Sequence, residues 1–134
     1  MDQSKLILDA ARSCINIELE ALEKLHQSFN SAFVEAVQCI YHGKGRLVIT
    51  GIGKSAIIGQ KIVATLNSTG TPSLFMHAAD AIHGDLGMIQ EQDIIMCISK
   101  SGETSEIKVL IPLLKTNHNT LIAIVSNLES SLAK

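Results

Sequence analysis

The stretch VITGIGKSAIIGQK, residues 48–61, passes from β-branched residues through a glycine turn into a helix-forming run. A strand, a tight turn and a helix in that order open a parallel crossover unit. The turn admits more than one reading. A triphosphate-binding loop needs G-x-x-x-x-G-K-S/T, which would put its first glycine at position 48. That position is Val48, inside the strand, so a loop wrapping a triphosphate is excluded. The dinucleotide pattern G-x-G-x-x-G/A is met by Gly51, Gly53 and Ala56, but it also wants an acid at the end of the next strand. His77 stands there, and Asp80 comes three residues late. The plain alternative is a turn in which glycine permits close packing. That leaves Lys54 and Ser55 at the mouth of the helix, where a cation and a hydroxyl suit an anion.

Working outward, β-rich runs recur at 47–50, 73–76, 94–99 and 121–125. Helical segments lie between the first two (55–66) and between the last two (104–114), with Pro112 expected to kink or shorten the second. Upstream, residues 4–26 read as an amphipathic helix through Leu8, Ala11, Ile15, Leu19, Leu22 and Leu25. A second helix starts near Ser31 and stops at Gly43-Lys44-Gly45. The expected fold is α/β. A parallel sheet over 46–134 forms the core, and 1–43 forms a helical N-terminal segment of the same single domain.

The 134 residues are 46% hydrophobic but only 18% charged and 3% aromatic, with no Trp. This composition suits a Val/Ile/Leu/Ala interior such as a buried parallel sheet. A net charge of −2, without a basic patch carrying aromatics, argues against nucleic-acid binding. No apolar run approaches the roughly 20 residues that cross a bilayer, and no signal peptide is recognisable. Cys14, Cys39 and Cys97 read as buried thiols of a cytoplasmic protein.

In parallel sheets, ligands bind beyond the carboxyl ends of the strands. Three such ends carry chemistry: 51–55, 77–85 and 99–104. CISKSGETSEI, residues 97–107, sets Ser99, Ser101 and Thr104 around Gly102 where a strand enters a helix. Hydroxyls, a glycine and the free N–H groups of a helix start make a cradle for a phosphate monoester. The alternative is an ordinary N-cap by Ser101, helped by Glu103.

S-x-S-G-x-T over residues 99–104 resembles the phosphate signature of sugar isomerase (SIS) domains. Joined with GIGKS, STGTPS, HGDLG and the following SEI, the likeness extends over about residues 45–130 and looks like the D-arabinose 5-phosphate isomerase branch. The resemblance implies a three-layer αβα, flavodoxin-like fold, a homodimer or homotetramer, and no cofactor. It implies interconversion of D-arabinose 5-phosphate and D-ribulose 5-phosphate through an enediol, at the entry to Kdo and lipopolysaccharide synthesis. On this chain the catalytic lysine and glutamate would be Lys54 and Glu106, with His83 near the sugar. Ser99, Ser101 and Thr104 would anchor the phosphate with help from Ser55, while Gly51, Gly53 and Gly102 shape the site. Partial burial is expected to raise the Glu106 carboxyl toward usefulness as a base, with Glu103 the rival. His77, His83, Asp80 and Asp85 fit no strong metal motif, and no metal is assigned.

The family pattern continues with a fifth strand and further helices that bring another glutamate and a histidine. The chain is therefore expected to lack the last strand, those helices and the paired CBS domains of many relatives. Lys100 takes the place of a commoner small polar residue between the two serines, adding charge beside the phosphate. The competing functional class is a non-catalytic phosphosugar-binding module; the plainest reading is a fragment that only folds and associates through its first helix.

Overall fold

A computed structural model describes residues 2–134. The chain divides into two compact units, residues 1–38 and 39–134.

The first unit holds α1 (Gln3–Gln27) and most of α2 (Ser31–His42). Asp2 caps α1 by accepting the N–H of Ser4. Asn30 caps α2 by accepting from Ala32 and Phe33, using the acceptor that favours Asn at this position. None of the residues of α1 is buried, so its apolar stripe stays open. Cys14 is exposed and Cys39 half-exposed; only Cys97 is buried, which corrects the expectation of three buried thiols. Cys14 lies on this open helix, where an apolar neighbourhood in sequence does not amount to a core.

The second unit is a four-stranded parallel sheet, β1 (Leu47–Gly51), β2 (Ser73–His77), β3 (Ile94–Ile98) and β4 (Thr120–Ile124), in the order β2-β1-β3-β4. The central strand β1 is buried along its whole length, because both of its faces are covered. Alternate side chains go to opposite faces. Val48, Ile95 and Cys97 pack with Ile107, Leu110, Ile111 and Leu114 of α5 (Ser105–Thr116) and with Ala78 and Ala81 of α4 (Ala78–Ile82). Leu47, Ile49 and Ile94 pack with Ile62, Val63 and Leu66 of α3 (Lys54–Ser68) and with Ile40 at the end of α2. The result is the three-layer αβα arrangement expected from the sequence.

Two details depart from expectation. Pro112 does not end α5, which runs on to Thr116. The proline leaves the Lys108 carbonyl without its intrahelical donor, but both residues are exposed and water can serve it. Between β2 and β3 the chain forms α4 and a 3-10 turn (Asp85–Met88) that the sequence pattern did not reveal.

The amino edge of the sheet is fastened by polar contacts. The buried carboxylate of Asp93 accepts from the Arg46 guanidinium at 2.6 Å and from the N–H groups of Arg46 and Gln90, both at 2.9 Å. Asn119 donates from one amide nitrogen to the carbonyls of Gln90 and Asp93, at 2.9 and 2.8 Å. The carboxyl edge is left for binding.

Candidate functional site: the carboxyl edge between β1 and β3

Because all four strands run parallel, their carboxyl ends share one edge. From β1 the chain crosses outward to β2; β3 then lies on the other side of β1. The direction in which the sheet is wound thus reverses between β1 and β3, and such a switch point leaves a crevice for a ligand. An open pocket of about 630 Å³ lies there, lined by Ser55, Ser99, Ser101 and Thr104 among others.

The loop after β3 is built around Gly102, whose φ of 66° favours glycine. Ser99 is 3% exposed; its N–H donates to the Ile124 carbonyl at 3.1 Å, which ties the loop to β4. The Ser99 hydroxyl accepts the Gly102 N–H at 3.1 Å and lies 3.3 Å from the Thr104 hydroxyl. Ser101 does not cap the helix, contrary to the plainer sequence reading. Its hydroxyl accepts from the Glu103 N–H at 3.1 Å, before α5 begins. The N-cap of α5 is Thr104, whose side chain makes no cap hydrogen bond. The helix α3, entered through Gly53 at φ 58°, likewise has no side-chain cap. Two helix starts whose N-cap residues make no side-chain cap bond therefore stand at the switch point, where their dipoles favour an anion. Gly51 supports this arrangement by close approach: a Cβ there would lie 3.1 Å from the Ile98 carbonyl oxygen.

The carboxylates differ from expectation. Glu103 is ion-paired with Lys108 and accepts the Ser131 N–H. These contacts hold its carboxyl at about 2 and commit it to Lys108 and Ser131. Glu106, in the first turn of α5, is not raised by burial. Its own backbone N–H, then the Ser105 hydroxyl at 2.8 Å, keep its carboxyl below the usual range. At a helix start, donors to the ionised form outweigh desolvation.

Of the residues singled out in the sequence, Ser55, Ser99, Ser101 and Thr104 come together as pocket wall. Lys54 is the exposed first residue of α3, Glu106 is half-buried on α5, and His83 is the exposed C-cap of α4; none of these three lines the pocket. Ser126 and Asn127, beyond β4, do line it and were missed. The signal was a serine and an asparagine at the fourth strand end. His77 caps α4 through its Nδ1, which accepts the Ala79 N–H at 3.3 Å. Among the described residues no group of three or more His, Cys, Asp or Glu side chains gathers as a metal would require. No described helix is long and apolar enough to cross a membrane.

The SIS domain family model matches residues 40–134. The chain belongs to the SIS domain family. Within it, the chain is 46% identical over all its 134 residues to the Pseudomonas aeruginosa arabinose 5-phosphate isomerase KdsD, and covers 41% of that protein. The chain thus spans about two fifths of the length of that curated relative. Among solved SIS structures, an Escherichia coli CFT073 protein in complex with arabinose 5-phosphate superposes with a TM-score of 0.92 at 41% identity, covering 99% of this chain and 70% of the other. A Listeria monocytogenes protein gives a TM-score of 0.92 at 36% identity, with the same coverage.

Proposed function

We propose that this SIS domain binds a sugar phosphate at the β1–β3 switch point and supplies part of an aldose–ketose isomerase site acting on D-arabinose 5-phosphate. The observation that carries the reading is the gathering of four hydroxyls, Ser55, Ser99, Ser101 and Thr104, in one pocket beside uncapped helix starts. The likeness to a protein bound to arabinose 5-phosphate supports the choice of sugar.

In this reading the hydroxyls and backbone N–H groups hold the phosphate, which fixes the sugar carbons beyond it. Isomerisation moves a proton between adjacent carbons through an enediol, and needs a base and a cation for the developing oxyanion. Lys54 is the cation. Glu106 is ionised at neutral pH and so in the proton-accepting form; being a weak base, it relies on Lys54 to stabilise the charge it creates. His83 binds or protonates sugar hydroxyls, and no cofactor is required. Gly51, Gly53 and Gly102 shape the loops. The protein acts in the cytoplasm as a homodimer or homotetramer.

A second reading, phosphosugar binding without catalysis, is favoured by one observation: Lys54, Glu106 and His83 stand outside the pocket wall. Incubation with D-arabinose 5-phosphate and assay of ribulose 5-phosphate separates the two. Turnover supports the isomerase; saturable binding without turnover supports the binding module.

A further inference from the structure

The charges around the pocket do not balance. Its lining contains one carboxylate, Glu103, and one cation, Lys100. Glu103 is already neutralised by Lys108 and by the Ser131 N–H, which leaves it little field to set against an incoming anion. Lys100 makes no ion pair among the described residues. Its backbone is fixed even though its side chain is exposed: the Lys100 carbonyl accepts the Ser126 N–H at 2.9 Å, and the preceding Ser99 is pinned to Ile124. A tethered backbone between two pocket hydroxyls thus carries a pocket-lining lysine that no described carboxylate pairs with.

We propose that Lys100 is a specificity-determining residue of this site, supplying the positive charge that selects a doubly ionised phosphate. The inference rests on the phosphate-binding reading above and adds to it. Hydroxyls and amides accommodate any tetrahedral oxyanion by geometry, whereas an ammonium group discriminates by charge. A phosphate monoester carries nearly two negative charges at neutral pH, so it gains most from one added cation. The exposure of Lys100 makes the gain sensitive to ionic strength.

The test measures binding of D-arabinose 5-phosphate and of inorganic phosphate to the wild-type chain, Lys100→Asn and Lys100→Arg, in low and in high salt. Lys100→Asn is expected to weaken both ligands about five- to tenfold at low salt. The loss should shrink as salt rises, and Lys100→Arg should restore affinity to within about twofold. Wild-type binding that Lys100→Asn leaves unchanged, or weakens equally at every salt concentration, overturns this inference alone. Failure of the wild type to bind either ligand overturns both this inference and the phosphate-binding reading.

Discussion

A Cβ placed on Gly102 would lie 2.1 Å from the Oγ of Ser130. These two residues lie far apart in sequence, yet they join the turn after β4 to the loop that holds three of the pocket hydroxyls. The Leu132 N–H donates to the Gly102 carbonyl at 3.2 Å, and the contact closes around a serine that is 1% exposed.

Gly102→Ala therefore faces both a left-handed backbone and a buried clash. The expected loss is about 1–3 kcal/mol of stability, with weakened phosphate binding. Urea unfolding checks the first and ligand titration the second. Ser130→Ala is the control. Its hydroxyl has no hydrogen-bond partner among the described residues, so its removal should leave stability nearly unchanged or slightly raised.

Asp93 predicts a pH dependence. Burial alone would push its carboxyl up, but the Arg46 guanidinium and the N–H groups of Gln90 and Arg46 prevail and hold it below the ordinary range. A depressed folded-state value stabilises above the unfolded value of about 3.9, and that contribution is lost as pH falls through the folded value. Urea midpoints should accordingly drop in acid below about pH 4. Arg46→Ala should cost about 3–5 kcal/mol at neutral pH, since it strands a buried charge. Asp93→Asn should flatten the acid limb of the profile to which Asp93 contributes.

Thiol accessibility offers a third check. Burial pushes the Cys97 thiol up to about 12, so the native protein offers almost no thiolate there. A maleimide should label exposed Cys14 rapidly and Cys97 only after unfolding. Rapid native labelling of Cys97, read by peptide mass, would contradict the packing of β3 against α5.

The division of labour at the site is also testable. Ser101→Ala should weaken phosphate affinity, about 1 kcal/mol or more for the lost hydroxyl. Lys54→Ala should spare affinity and abolish turnover if the chain is active. The reverse order would overturn these role assignments.

Much of the fold was legible because its strands are short, β-branched and bounded by glycine or polar residues. The run at 47–50 became β1 with one residue added, and the helix read over 55–66 spans Lys54–Ser68. What escaped lay where pattern is weak. Five residues of α4 are too few to show a helical period. Glu106 looked tunable by burial, but its own N–H and the Ser105 hydroxyl decide its ionisation, and no spacing rule shows that. The alternative reading of Ser101 as an N-cap fails because α5 starts beyond it, at Ser105. The four pocket hydroxyls were legible because strand ends in a parallel sheet must share an edge. Ser126 and Asn127 belong to no motif, and only the parallel pairing of β4 with β3 brings them to the same edge.

The most direct test of the account follows backbone amides by NMR while D-arabinose 5-phosphate is titrated into the chain. The account predicts saturable shifts at Ser99 to Glu106 and at Lys54 and Ser55, which need about five times more ligand or above to saturate in Ser101→Ala. Shifts confined to other parts of the chain, or none at all, would contradict it.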